Sequence, residues 1–229
     1  MQPQYQTIGR SSQIAVSQNR VLRNTYLLLA ISLIPTVIGA AIGVRTGFSF
    51  FAGSPLISFV VFLAVAFGFF WGIERNKNSG LGVALLLGFT FFMGLMLSRI
   101  LQVALGFSNG GTMIAMAGAG TSAIFLTLAG IATVTKRDFS FMGKFLFIGM
   151  IVALLAALAN IFLQIPALSL TISAAVVMIF SAYILYDVSR IVTGGETNYV
   201  SATLALYLDI YNVFTSLLHL IMAFSGDRD

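Results

Sequence analysis

Seven stretches of this chain run for 19 to 24 residues each with almost no ionised side chain. They cover residues 24–44, 50–73, 80–98, 112–135, 145–165, 167–186 and 202–224. Six contain no Asp, Glu, Lys or Arg, and the seventh contains only Asp209. An α-helix rises about 1.5 Å per residue, so about 20 apolar residues cross a hydrocarbon core about 30 Å thick. Transmembrane strands run only about 9–11 residues with strict alternation, which argues against a barrel. Charged residues make up 8% of the chain, against about 25% in a soluble domain. That excludes a water-soluble globule and a disordered chain alike. The absence of Cys removes disulfide scaffolds, thiolate catalysis, Fe–S clusters and Cys-type zinc sites. The fold class that remains is all-α, a polytopic membrane protein with seven transmembrane helices.

The basic residues give the chain a net charge of +5 but sit at the ends of apolar runs. They therefore read as orientation signals in a lipid bilayer and not as a nucleic-acid footprint. With the N-terminus inside, the inner segments hold Arg10, Arg20, Arg23, Arg75, Lys77, Lys136, Arg137, Lys144 and Arg190, and the outer side holds Arg45, Arg99 and Arg228. This bias predicts a cytoplasmic N-terminus and an external C-terminus. Residues 1–20 form a polar tail without the apolar core of a signal peptide, so the first span is expected to be retained. The expected organisation is a cytoplasmic tail, 1–20, and a single membrane domain, 21–229. A six-crossing alternative would make the seventh run re-enter. The connection 187–201 is the longest, and part of it should extend the sixth helix.

Small residues mark expected close packing between helices: Gly39 with Gly43, Gly68 with Gly72, and Gly118, Gly120 and Ser122 together. Gln164-Ile165-Pro166-Ala167 reads as a tight uncharged turn. Arg99 with Gln102 is expected to snorkel at the outer surface.

Two of the seven acidic residues lie at membrane depth: Asp187 at the end of the sixth span and Asp209 inside the seventh. An ionised Asp at mid-membrane costs about 2.5–3.5 kcal/mol on insertion scales, so each should be neutral, paired or facing water. Their midpoint is residue 198, inside the turn Gly194-Gly195-Glu196-Thr197-Asn198. Helices leaving that turn symmetrically would place the two carboxyls level, about 5–10 Å inside the bundle end. Asp209, Asn212, Ser216 and His219 follow at helical steps on one face of the seventh span, and Tyr183, Asp187 and Arg190 on the sixth. In the plainer alternative, Asp187 snorkels and pairs with Arg190, while Asp209 accepts a hydrogen bond from a Tyr. His219 has no second His, Cys or nearby carboxylate to make a metal site. Fragments of aspartyl and serine intramembrane protease motifs occur, but the full catalytic order does not, so no enzyme is expected.

The segments Ala182-Tyr183-Ile184-Leu185-Tyr186-Asp187, Gly194-Gly195-Glu196-Thr197-Asn198-Tyr199 and Leu206-Tyr207-Leu208-Asp209-Ile210-Tyr211-Asn212 resemble the C-terminal signature of the Bax inhibitor family. Lys136-Arg137-Asp138-Phe139-Ser140-Phe141 is similar to an internal block of that family. Val21-Leu22-Arg23-Asn24-Thr25-Tyr26 is similar to its bacterial branch, which includes a modulator of the FtsH membrane protease. The resemblance implies a bundle with a central C-terminal helix in a bacterial inner membrane. It also implies a pH-sensitive Ca²⁺ leak governed by Asp187 and Asp209, with transient Ca²⁺ contact there, and a second-helix Arg that locks the pair, for which Arg75 is the nearest candidate. No resident cofactor is implied, a monomer is expected, and FtsH is the implied partner of the non-channel alternative.

The chemistry of such a pair suggests how it would gate. Two touching carboxyls in low dielectric cannot both ionise cheaply, so they share a proton and titrate as a unit. The shared proton would tie the sixth helix to the seventh, and its loss would drive them apart. Asn212, Ser216 and His219 would continue a polar path outward, with His219 adding a second titration.

Overall fold

The computed structural model describes residues 4–50 and 55–225, with side chains for 18–50 and 57–225. Arg228, counted above toward the outer charge, lies outside the described residues, as do Asp227 and Asp229. Seven α-helices follow in order: α1 (Gln4–Thr46), α2 (Pro55–Asn76), α3 (Gly80–Leu105), α4 (Gly110–Thr135), α5 (Gly143–Leu163), α6 (Pro166–Thr193) and α7 (Tyr199–Ser225). All seven are long and apolar enough to cross a membrane. The polar residues from Gln4 onward belong to α1, which continues unbroken into the first span, Gln18–Thr46.

The helix ends follow local chemistry. Pro55 and Pro166 each open a helix, where a missing N–H costs nothing. The second span therefore starts later than its apolar run, part of which (51–54) lies outside the described residues. Gln164 turns the chain at φ 51° ahead of Pro166, and Asn160 Oδ1 accepts the N–H of Ile165 at 3.0 Å, so the expected uncharged turn is present. As expected, α6 runs past Asp187, to Thr193.

Helix α7 is the axis. It packs against α1, α2, α3, α4 and α6, whereas α5 packs on α6 at the periphery. Leu206, Tyr207, Val213 and Leu218 of α7 are almost completely buried. Because lipid is as apolar as Leu, such helices associate through close packing and hydrogen bonds. The closest packing joins α1 to α3. A Cβ on Gly39 would collide with the Phe91 carbonyl oxygen, and one on Gly94 with that of Thr36. At this crossing Thr36 Oγ1 lies 3.1 Å from Thr90 O and 2.9 Å from the Tyr207 hydroxyl, tying α1, α3 and α7 together.

Gly39 and Gly43 thus pack as their spacing predicts. Gly68 and Gly118 do not: a side chain at either would enter open space, and Ser122 is exposed. Only the other glycine of each pattern is approached, Gly72 by Leu85 and Gly120 by Leu217, each side chain 3.3 Å from where a Cβ would sit. Gln102 also departs from expectation. It donates to the carbonyls of Gly43 and Phe48, at 3.1 and 3.2 Å, pinning the end of α1 while Arg99 remains exposed.

Candidate functional site

The site is built on the α6–α7 hairpin. Gly194 ends α6 with φ +85°, a left-handed conformation that glycine adopts without strain. Glu196 Oε1 then accepts the N–H groups of Thr197 and Asn198, both at 2.8 Å. Asn198 Oδ1 caps α7 by accepting from Val200 and Ser201. Its amide nitrogen reaches across to the α2–α3 turn, 2.7 Å from Asn78 Oδ1 and 3.2 Å from the Lys77 carbonyl. Ser201 Oγ donates to Glu74 at 2.6 Å, and Glu74 also holds Lys77 at 2.8 Å. That carboxylate raises the pKa of the exposed Lys77 ammonium. This strap between two turns was not apparent from sequence, because single Asn and Ser residues carry no pattern that reports a distant partner.

Within the hairpin, the Asp187 and Asp209 carboxyls face each other closely enough to interact directly. Asp209 is buried, at 4% exposure, and its Oδ2 has no hydrogen-bond partner. Asp187 is half-buried. The pair lies six residues from the end of α6 and ten from the start of α7, about 9 and 15 Å along the two helices. It is deeper and less symmetric than the sequence midpoint suggested, because the turn's residues divide unequally between the two helices.

Arg190 does not form a salt bridge with Asp187. Its guanidinium donates to Gly195 O at 3.2 Å, lies 3.9 Å from Glu196 Oε2 and covers the Tyr186 ring. It acts on the Asp187 carboxyl through its field alone. Arg75, proposed above to lock the pair, sits over the exposed ring of Trp71. The cation that reaches the dyad electrostatically comes from α6 itself. Tyr183 is close enough for its hydroxyl to feel both carboxyls.

The outward stripe on α7 divides. Asn212 donates to Leu208 O and lines a 250 Å³ apolar cavity with Phe62, Phe70 and Met93. Ser216 is buried. His219 turns to α6, where Nδ1 lies 2.8 Å from Ser173 Oγ. The two helices are therefore joined side chain to side chain at both ends, by Asp187–Asp209 and by Ser173–His219. Among the described residues no cluster of three or more His, Asp or Glu side chains is present.

A family model described as "Inhibitor of apoptosis-promoting Bax1" matches residues 18–226. An uncharacterized protein of Neisseria meningitidis is 42% identical over 214 residues, covering 93% of this chain and 94% of its own. The modulator of FtsH protease YccA of Escherichia coli K12 is 38% identical over 212 residues, covering 93% and 94% respectively. An uncharacterized membrane protein of Vibrio cholerae is 39% identical over 211 residues, covering 92% of each chain.

Proposed function

The chain belongs to the family of inhibitors of apoptosis-promoting Bax1, and from that membership and the hairpin geometry we propose that it is a pH-sensitive cation leak, with Ca²⁺ as the permeant ion, gated by Asp187 and Asp209. The observation that carries this reading is the direct meeting of two carboxyls inside an apolar bundle. Ionising Asp209 as it stands would leave a buried, charged oxygen without a donor, which is costly. A proton held by the pair removes that charge and fastens α6 to α7. As pH rises and the proton leaves, two anions repel across the same gap. The loosened pair then presents hard oxygen ligands of the kind Ca²⁺ prefers. With two carboxylates, and no cluster of three acidic or His side chains among the described residues, this is a transit point and not a storage site.

The test is flux into Ca²⁺-dye-loaded liposomes. Asp209→Asn is nearly isosteric, keeps a hydrogen bond and cannot ionise. It should fold with an unchanged melting temperature and lose the pH response. Unchanged, pH-dependent flux in a well-folded Asp209→Asn protein would remove the dyad as the gate.

A second reading is supported by the relative named as a modulator of FtsH protease. In it the chain binds and regulates a membrane protease through the polar N-terminal residues, and the carboxyl pair serves packing. Deleting residues 1–20 should then change the protease's turnover of its other substrates. If it does not, and no protease co-purifies, this reading fails.

A further inference from the structure

Helices α1 and α4 make no close backbone approach; the Tyr26 ring meets Phe125 between them, centroids 5.8 Å apart, and from there toward Arg45 a furrow runs beside α7. Three cavities lie end to end along it: two of 450 and 330 Å³ share Thr36, Val37, Leu97 and Phe214, and a third of 260 Å³ joins the second at Leu33, Thr121 and Ser122. The furrow starts at Arg45, in the last turn of α1, and continues inward to Leu33 and Gly118. From residue 45 to 33 is about 18 Å along the helix, close to the half-thickness, about 15 Å, of a hydrocarbon core. Its rim residue Val37 is 67% exposed, within the membrane-spanning part of α1.

We propose that this furrow is a phospholipid site, with one acyl chain lying between α1 and α4 and the phosphate held by Arg45. Three observations select that occupant. The first is width: an α-helix about 10 Å across would need about 1,400 Å³ over this length. A polymethylene chain about 4.5 Å across needs about 300 Å³. The second is charge: Arg45 is exposed, forms no ion pair among the described residues and stands where the apolar lining ends. A guanidinium there suits a phosphate, which it can bind bidentately. The third is depth: the stretch from Arg45 to Leu33 spans one leaflet, the reach of an acyl chain anchored at Arg45, although the furrow itself continues toward Tyr26. The site lies apart from the Asp187–Asp209 pair and stands whether or not that pair gates a pore.

Native mass spectrometry of the full chain, exchanged into detergent with palmitoyl-oleoyl phosphatidylglycerol and washed, tests this. One lipid should survive washing. Gly118→Leu places a side chain in the open cavity and should lower retention on the order of tenfold, at an unchanged melting temperature. Val37→Phe, at the rim, should do the same and serves if the first variant misfolds. Arg45→Gln should lower retention of the phospholipid while leaving its neutral diacylglycerol counterpart unaffected. Phe147→Leu, on the exposed face of α5, should have no effect. Equal loss in all variants, or retention unmoved by both Gly118→Leu and Val37→Phe, would mean annular lipid only and overturn the proposal. Loss of a co-purifying protein in place of lipid would overturn it too.

Discussion

At the scale of single residues, acid should act on this protein in two places with different signatures, at Asp138 and, on the proposed gate, at the dyad. Asp138, in the exposed bend before α5, is hydrogen-bonded by Ser140 through both its hydroxyl and its backbone N–H, which holds the carboxyl below the usual range. A depressed carboxyl contributes stability above its unfolded value, about 4, and loses it as pH falls through the folded value. The bend should therefore loosen only in acid below about pH 4, and Asp138→Asn should abolish that step in the exchange of the Ser140 amide. On the proposed gate the dyad would respond in the opposite sense, since protonation would fasten its two helices. Asp187 and Asp209 were legible in the sequence because a carboxylate in an apolar run is costly wherever it lies. The position of Arg75 was not legible in the same way, because a helix-end Arg has the reach to choose among neighbours, and Trp71 offers a ring one turn back on the same helix. The Ser173 partner of His219 was invisible, since Ser is unremarkable in a transmembrane span.

At the scale of helices, two glycine patterns with the same spacing have opposite consequences. Gly39→Val should drive α1 from α3, because its Cβ meets the backbone of Phe91, which cannot move aside as a side chain can. A loss of several kcal/mol is expected, in the range of severe packing defects, about 4 kcal/mol or more. Gly68→Val enters open space and should be neutral or mildly stabilising, since it also removes glycine's entropic cost of up to about 1 kcal/mol. Thermal unfolding in detergent distinguishes the two, and equal losses would show that α2 is packed against something this bundle lacks. The helices themselves were legible from run length and charge, including the short turn before Pro166. Their pairings were not, because a lipid-facing and a protein-facing helix have nearly the same composition when the solvent is itself apolar.

At the scale of the whole molecule, the arrangement has a centre and a sequence order that do not match. Thr203 Oγ1 donates to the Thr25 carbonyl across 178 residues, and Tyr207 meets Thr36 across 171. The helix at the middle is the last of the seven in chain order. Five helices enter the bilayer around an axis that is still to come, with α5 outside them on α6, and Thr25, Thr36 and Thr90 wait for partners not yet translated. Completion of the core is thereby deferred until the seventh helix has been made. A chain stopped anywhere before Tyr199 is not a smaller version of the protein but a ring of helices around a gap, exposing polar backbone that any membrane quality-control machinery would recognise as unfinished.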